Sequence, residues 1–300
     1  MFIPTGEDVK CAIEAALHSF KEKDRFSEVA FFGGSFTAIE QKLQEELLSA
    51  AYPYVKSGDI DGIRCSTRPD AISDDILMRL VHFGVTTVEL GAQSMDEEVL
   101  MYSLRGHTAE DVRVASKLIH EYGIDLGLQM MTGLPGDTFE KDIKTAKEII
   151  ALSPACVRIY PTLVLAGTHL CEMYQNGQYI AQTVDEAVDI CAILYEMFVT
   201  ANIRVLRMGL MSSGEINEMS QSVVAGPCHS SFGELVKSRV LLDKLRHDAI
   251  KEEDKMVVHV HPKEISMAIG NCKHNKEILQ KEWNSTVLFV ADEKKELYLP

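Results

Sequence analysis

Polar and small side chains stand at the ends of apolar stretches where β-strands are expected, and chemistry would take place at such positions. The first stretch is followed by F-F-G-G-S-F-T, in which Gly33 and Gly34 let a ligand approach the backbone and Ser35 adds a hydroxyl. Taken alone, each short motif is typical of an ordinary turn. Because five consecutive strand ends behave this way, we interpret them as a binding site along one edge of a sheet.

The later strand ends carry side chains that suit a polar ligand. An arginine fork matches a carboxylate, and a glutamine amide matches hydroxyl groups. The motifs are, in chain order, C-S-T-R-P-D, V-E-L-G-A-Q-S, R-G-H-T, G-L-P-G and R-I-Y-P-T.

Alternating strands and helices must position these motifs. The runs V-A-F-F and C-V-R-I-Y are apolar on nearly both faces, as in a parallel sheet covered by helices. Periodicity predicts helices between six strands, which we place at 28–32, 60–65, 87–90, 125–131, 155–160 and 203–208.

These elements predict an α/β fold, a partial (βα)6 TIM-like barrel over residues 1–210. No strand precedes the first helix, so we expect the barrel to lack its first strand. Residues 211–300 change in texture and predict a small C-terminal α+β extension, with a helix, the strand-like V-V-H-V, a second helix and a last strand over 285–299.

Composition narrows the class of protein. The 300 residues have 46% hydrophobic and 25% charged content, which fits a globular protein, and no apolar run is long enough to span a bilayer. The seven cysteines lie far apart, which fits a reducing compartment and predicts a cytoplasmic protein without a disulfide framework. The oligomeric state stays open.

Charge is distributed unevenly along the chain. The net charge is −15, but residues 1–200 carry 16 Lys and Arg against 31 Asp and Glu, whereas residues 201–300 carry 14 against 14. An acidic surface repels phosphates, so we expect any contact with a polyanion in the last third. The candidate patch is a helix-like segment with Lys237, Arg239, Lys244 and Arg246, although a solvated helix face is the simpler interpretation.

The order and spacing of these motifs resemble the radical S-adenosylmethionine (SAM) domain of the Elongator catalytic subunit and its short bacterial relatives. The resemblance covers about residues 1–235. It implies reductive cleavage of SAM at a [4Fe–4S] cluster and, in those relatives, modification of the wobble uridine of tRNA.

The resemblance also implies residue roles. Backbone groups at Gly33, Gly34 and Ser35 would receive the SAM amino group. The ribose and carboxylate of SAM would be held by Gln93, Arg105 and Gln129. The cavity near the substrate would be lined by Thr67, Arg68, Tyr160 and Thr162.

One departure from the family is large. Its cluster is bound by C-x-x-x-C-x-x-C, and no two cysteines of this chain lie within seven residues of one another. We therefore expect no metal ligands in this chain and no activity of the chain as written, with the motif lost by truncation or a misplaced start. The alternative is a noncatalytic relative that keeps a SAM- or nucleotide-binding pocket.

Two weaker signals lie in the last third. His259 with His261 and Cys272 with His274 have the spacing of zinc ligands, but no close Cys or His pairs accompany them. The stretch A-I-G-N-C-K-H-N resembles a KH-type RNA-binding loop, with Lys273 in place of the second glycine. We base no prediction of function on either signal.

Overall fold

The structure is a computed structural model that describes residues 3–20, 26–210, 222–252 and 255–299. The strands are β1 (Glu28–Phe31), β2 (Gly62–Thr67), β3 (Val85–Gln93), β4 (Asp125–Thr132), β5 (Cys156–Pro161), β6 (Val164–Leu165), β7 (Arg204–Met208), β8 (Val223–Ala225), β9 (Ile250–Glu252), β10 (Lys255–Val260) and β11 (Thr286–Ala291).

Helices separate most of these strands, as the periodicity predicted. They are α1 (Gly6–Ser19), α2 (Gln41–Ser57), α3 (Asp74–His82), α4 (Glu97–Tyr102), α5 (Ala109–Glu121), α6 (Phe139–Ala151), α7 (His169–Gln175), α8 (Val184–Thr200), α9 (Phe232–Asp248), α10 (Ile265–Ile269) and α11 (His274–Trp283). Within the described ranges, no helix is long and apolar enough to cross a membrane.

Six strands form one sheet in the order β1-β2-β3-β4-β5-β7. The registers of β1 with β2, β2 with β3 and β3 with β4 are parallel, and each crossover between them contains a helix. This order confirms the predicted (βα)6 part of the fold. The strand β3 is longer than predicted, because polar residues at its carboxyl end interrupt the apolar pattern without ending the strand.

The chain divides into two compact units. The first comprises residues 1–130 and 144–158, and the second comprises residues 131–143 and 159–300. The predicted boundary between residues 210 and 211 borders residues outside the described ranges, and it stays a prediction.

The core of the first unit lies on one face of its strands. Alternate residues of a strand point to opposite faces, and Ile63, Val88, Leu90 and Leu126 are fully buried on the same face. Three leucines of the helices are also fully buried: Leu48 of α2, and Leu77 and Leu80 of α3. Removing such side chains from water is the main stabilising contribution to the unit.

The second unit contains an antiparallel pair, β6 with β8, and a three-stranded sheet in the order β11-β10-β9. The long helix α8 begins with a capping box, in which the Thr183 hydroxyl accepts from the Glu186 amide and the Glu186 carboxylate accepts from the Thr183 amide. Its side chains are largely apolar and buried, with Phe198 fully so.

Two carboxyl groups share a buried site in the second unit. Asp137 accepts hydrogen bonds from the amides of Gly133 at 3.1 Å and Thr138 at 2.9 Å, and it is hydrogen-bonded to Asp142. Burial, with the charge of Asp137, raises the pKa of Asp142 to about 9. Asp142 therefore keeps its proton in the folded chain at neutral pH and can donate it to Asp137.

We predict that Asp142→Asn stabilises the chain at pH 8, because an amide can donate the same hydrogen bond without a proton to retain. The unfolded aspartate ionises above about 3.8, whereas the folded one ionises near 9, so wild-type stability falls as pH rises through this interval. The melting temperature should rise by about 2–4 °C per kcal/mol gained at pH 8 and change little near pH 4. Asp125→Asn, at an exposed position, is the control. An equal gain at both pH values would contradict the shared proton.

Candidate cofactor and substrate site

A row of polar side chains lies on the face of the strands opposite the apolar core of the first unit. Arg64 of β2, Glu89 of β3, Gln129 of β4 and Arg158 of β5 each stand between residues that are buried on the other face. Buried charges are rare unless they are paired, so this row requires an explanation beyond packing.

Glu89 is the centre of this row. Its carboxylate, 1% exposed, accepts hydrogen bonds from Arg158 Nε at 2.7 Å, Arg64 Nη1 at 2.8 Å and Gln129 Nε2 at 2.9 Å. Burial alone would raise the pKa of Glu89, but the hydrogen bonds from Arg158 and Gln129 and the nearby positive charge lower it on balance. The carboxylate therefore stays ionised at neutral pH, and its stabilising effect is lost only as pH falls below 4.5.

The two arginines are held from further sides. Arg64 also donates to Glu28 from Nη2 at 2.7 Å and from Nε at 3.0 Å, and both bonds end on the same carboxylate oxygen, Oε2. The guanidinium of Arg158 lies 5.1 Å from the centre of the Phe32 ring, within the range of a cation–π contact. The cluster Glu28–Arg64–Glu89–Arg158, with Gln129, is called the lumen network below.

Gly127 leaves space for the Glu89 side chain in this network. A Cβ on Gly127 of β4 would lie 2.6 Å from Glu89 Cγ, closer than real Cβ atoms approach other atoms, and 3.2 Å from Cys156 Sγ, which is a tight contact. Gly127 pairs with Glu89 in the register of β3 and β4, so the side chain of Glu89 lies across it. Any larger residue at position 127 would displace the carboxylate.

The predicted glycine loop follows β1 and faces open space. Gly33 has φ +108°, and a Cβ on Gly33 or Gly34 would meet no atom within 4 Å. Ser35 precedes a short helical turn that begins at Phe36 and makes no side-chain capping bond to it. The backbone of this loop is therefore accessible to a ligand.

Gln93, at the carboxyl end of β3, is the most unusual of the predicted residues. Its φ is +65°, a left-handed conformation that costs a non-glycine residue about 1–2 kcal/mol. It is 8% exposed, yet its side chain makes no hydrogen bond with any other residue that the structure describes. A strained backbone and a side-chain amide that no described residue bonds make Gln93 a candidate for contact with a ligand.

Arg105 is exposed to solvent, yet desolvation by the surrounding protein lowers the pKa of its guanidinium. A Cβ on the next residue, Gly106, would lie 3.9 Å from Arg68 Nη2, so the predicted residues Arg68 and Arg105 belong to neighbouring loops.

Gln129 differs from the other candidates, because both donors of its amide are used within the protein. They reach Glu89 at 2.9 Å and Ser66 Oγ at 3.2 Å, in the middle of β4 rather than at its end. Its carbonyl oxygen is the part left for a ligand. Contact of Gln129 with SAM stays a prediction.

The four residues predicted near a substrate lie in different settings. The hydroxyl of Thr67 is 2.6 Å from that of Thr37 in a buried pair, and the hydroxyl of Thr162 donates to the Thr132 carbonyl at 2.7 Å. These bonds give both threonines a structural role. Arg68 pairs with Asp70 in solvent, and Tyr160 of β5 is half-buried.

Comparisons with known proteins show the family to which this chain belongs. A family model described as the radical SAM superfamily matches residues 9–149, and one described as the radical SAM C-terminal domain matches residues 154–241. This chain belongs to the radical SAM superfamily.

Curated relatives in the superfamily include tRNA-modifying proteins. The tRNA uridine(34) acetyltransferase of Methanocaldococcus jannaschii is 32% identical over 183 residues, 54% of this chain and 34% of that protein. Elongator complex protein 3 of Saccharomyces cerevisiae is 30% identical over 185 residues, 55% of this chain and 33% of that protein. The radical SAM chain thus matches about a third of the length of these relatives.

A solved structure extends the likeness of fold. The archaeal Methanocaldococcus infernus Elp3 with an N-terminal deletion superposes with a TM-score of 0.66 at 20% identity, and the match covers 94% of this chain and 88% of that one. At this identity the match shows the fold alone, and it confirms the predicted partial radical SAM barrel.

Membership in the radical SAM superfamily implies SAM and a [4Fe–4S] cluster, and only the first fits the residues present. The open glycine loop, the Gln93 amide and the Arg105 guanidinium are groups of the kind that bind the polar parts of SAM. The cluster has no such fit: in the described part of the chain, no group of three Cys, His, Asp or Glu residues converges to hold a metal. Four of the seven cysteines are buried, and the seven are free and far apart.

Sequence reasoning missed the lumen network of this radical SAM chain. A charged residue inside an otherwise apolar strand was the available signal, as in G-I-R-C-S-T and C-V-R-I-Y. Glu89 and its two arginines lie inside their strands, so the strand-end motifs did not predict that they would meet.

We predict that Glu89→Gln destabilises the radical SAM chain by about 3–5 kcal/mol, because it leaves two buried arginines without their shared carboxylate. Urea denaturation measures the loss. The control is Glu121→Gln, which removes an exposed carboxylate 3.8 Å from Lys117 and should cost less than about 1 kcal/mol. Equal urea midpoints for Glu89→Gln and wild type would show that the network does not stabilise the fold.

Proposed function

We propose that this chain is the SAM-binding core of an Elongator-type radical SAM enzyme that modifies uridine in tRNA. The observation that carries the proposal is Gln93, a residue in a strained conformation at the carboxyl end of β3 whose side-chain amide is bonded to no described residue. The relatives named for tRNA uridine(34) acetylation support the substrate class. A cytoplasmic location belongs to the same proposal.

Different residues hold different groups of SAM. The backbone at Gly33, Gly34 and Ser35 receives the amino group, the Gln93 amide bonds the ribose hydroxyls, and the Arg105 guanidinium pairs with the carboxylate. When bound next to a reducing iron–sulfur cluster, SAM supplies the radical chemistry of the family.

The lumen network orients the wall of the site. Its charges are internally paired, so it presents a fixed polar surface without attracting a counter-ion. Gln129 is part of that wall, and its free carbonyl oxygen is the group we assign to the ribose. Thr67, Arg68, Tyr160 and Thr162 stay predictions for the substrate side.

The cluster sets a condition on activity. The 300 residues do not contain the family's C-x-x-x-C-x-x-C motif, so the proposed reaction needs a cluster held by thiolates outside this sequence. We derive no reaction step through it. The same observation favours the second candidate function, a noncatalytic SAM- or nucleotide-binding module.

For tRNA, the cationic patch of α9 is a weak candidate. Arg239 is paired with Asp189 at 2.8 Å, Arg246 is paired with Glu282 at 2.6 Å, and Lys244 donates to the Tyr298 carbonyl at 2.7 Å. Lys237, the fourth cation, is half-buried. A phosphate would have to compete with these partners, so we propose that another surface supplies the main contact with tRNA.

We predict that S-adenosylhomocysteine binds the chain, as measured by isothermal titration calorimetry. Arg105→Ala should weaken binding about ten-fold to a hundred-fold, since a hydrogen bond to a charged group contributes about 1.5–3 kcal/mol. Arg113→Ala, which removes an exposed arginine of α5, should bind as the wild type does.

Adenosine separates the two candidate functions. If adenosine binds as tightly as S-adenosylhomocysteine and Arg105→Ala changes neither affinity, the chain is a nucleotide-binding module. If a folded sample binds neither ligand, the cofactor assignment is wrong.

A further inference from the structure

The last part of the second unit has a recognisable order of elements. The helix α9 is followed by the antiparallel pair β9 and β10, the helices α10 and α11, and the strand β11. The strand β11 returns parallel to β10, from Lys255 opposite Thr286 to Val260 opposite Ala291. This order, helix–strand–strand–helix–helix–strand with a parallel last strand, is that of one form of the KH module, and we call residues 232–291 the KH-like module.

The loop between α10 and α11 stands where a KH module holds its ligand. It comprises Gly270, Asn271, Cys272 and Lys273, and the last three are exposed. The residue φ values are +84° at Gly270, +49° at Cys272 and +65° at Lys273. A Cβ on Gly270 would lie 2.8 Å from the backbone nitrogen of Asn275, so only glycine fits there. Loops of the pattern G-x-x-G in KH modules clamp the backbone of single-stranded nucleic acid, and Lys273 here adopts the left-handed conformation at the position of the second glycine.

A buried bond network fixes the base of this loop. Asn275, 2% exposed, donates from its amide to the Ser238 carbonyl and hydroxyl, both at 2.9 Å. The Ser238 hydroxyl donates in turn to the Met267 carbonyl at 2.8 Å. These bonds join α9, α10 and α11 directly below the loop, so the exposed residues project from a rigid support.

Two cavities border the loop, and Asn271 and Cys272 line both of them. The first, about 430 Å3, is also lined by Lys263 and Ser266, and the second, about 770 Å3, by Arg239 and His274. Both volumes lie within the range of about 300–1,000 Å3 for small-molecule sites, which includes a nucleotide. Two arginines line the larger cavity, and both are paired with carboxylates: Arg239 with Asp189 and Arg246 with Glu282. That cavity therefore suits an uncharged base better than a phosphate.

The sequence on either side of the loop carries more positive than negative charge, although the whole chain is acidic and four carboxylates line the larger cavity. Residues 255–285 contain five lysines and three glutamates, within a chain whose net charge is −15. One of those glutamates, Glu264, is 5% exposed and accepts from the amides of Tyr298 and Leu299, and another, Glu282, is paired with Arg246. Lys263 and Lys273 are exposed next to the loop.

We propose that the KH-like module binds single-stranded nucleic acid, with the loop 270–273 against the backbone and bases in the adjacent cavities. The similarity to KH modules is one of fold, and the site-level support is the exposed loop, its cavities and its local positive charge. This inference rests on the proposed function only for the choice of tRNA as the natural source of the strand. Binding of the strand itself requires neither SAM nor a cluster.

Fluorescence anisotropy with the full chain tests the module. The probes are a labelled single-stranded oligouridylate of about ten nucleotides, long enough for the four that a KH loop holds, the matching single-stranded DNA, and an RNA duplex. Asn271→Asp/Cys272→Asp adds two negative charges to the loop, and Asp tolerates the left-handed conformation that Cys272 already adopts. Cys11→Asp/Ala12→Asp adds the same charge at exposed positions of α1.

We expect the wild type and the α1 variant to bind the single strands more tightly than the duplex, and the loop variant to lose about ten-fold or more in affinity with a shallower dependence on salt. Weaker binding of DNA than of RNA would identify RNA as the ligand through its 2′-hydroxyls, and equal binding would identify single strands of both kinds. Unchanged melting temperature and unchanged binding of S-adenosylhomocysteine by the loop variant would separate this site from the cofactor site.

Three results would overturn the inference. The first is no binding of single strands, and the second is equal binding of the duplex. The third is a loss of binding on replacing Lys237, Arg239, Lys244 and Arg246 with Gln while the loop variant binds normally, which would place the surface on α9.

Discussion

The pairing of one buried carboxylate with two arginines is the constraint on which the first unit depends. Glu89 accepts from Arg64 and Arg158, residues that are 25 and 69 positions away in the chain. Taking three charges out of water is costly, and their attraction repays the cost only when the hydrogen bonds are nearly complete. The three strands that carry them must therefore hold one register, and Gly127 must stay small.

This arrangement gives the sheet one apolar face and one charged face. The barrels of many α/β proteins fill their interior with branched apolar side chains. Here the core lies on one face, between strands and helices, and the other face carries the lumen network. Because its charges are paired with one another, that face can border a polar ligand without collapsing or binding stray ions. In the function proposed above, the glycine loop after β1 and Gln93 at the end of β3 supply the contacts that the network does not.

The sequence predicted the six strands and their helices because apolar periodicity is a local property. It predicted the strand-end residues because those interrupt the pattern. It could not predict that Glu89 would meet Arg158, since that contact depends on strand order and register. The same limit applies to Thr67, whose hydroxyl was expected near a substrate and is bonded to Thr37. In the last third, the strand predicted over 285–299 covers only Thr286–Ala291. The loop at 270–273 could be interpreted as a binding loop only from the order of the helices and strands around it.

Hydrogen exchange with and without S-adenosylhomocysteine, read peptide by peptide, tests the central claim most directly. The claim is that the carboxyl ends of β1 and β3, beside the lumen network, form the SAM site. We expect slower exchange in peptides that contain residues 33–35 and 91–94, and unchanged exchange in peptides of the KH-like module. Slower exchange confined to other peptides, with these two unaffected by saturating ligand, would contradict it.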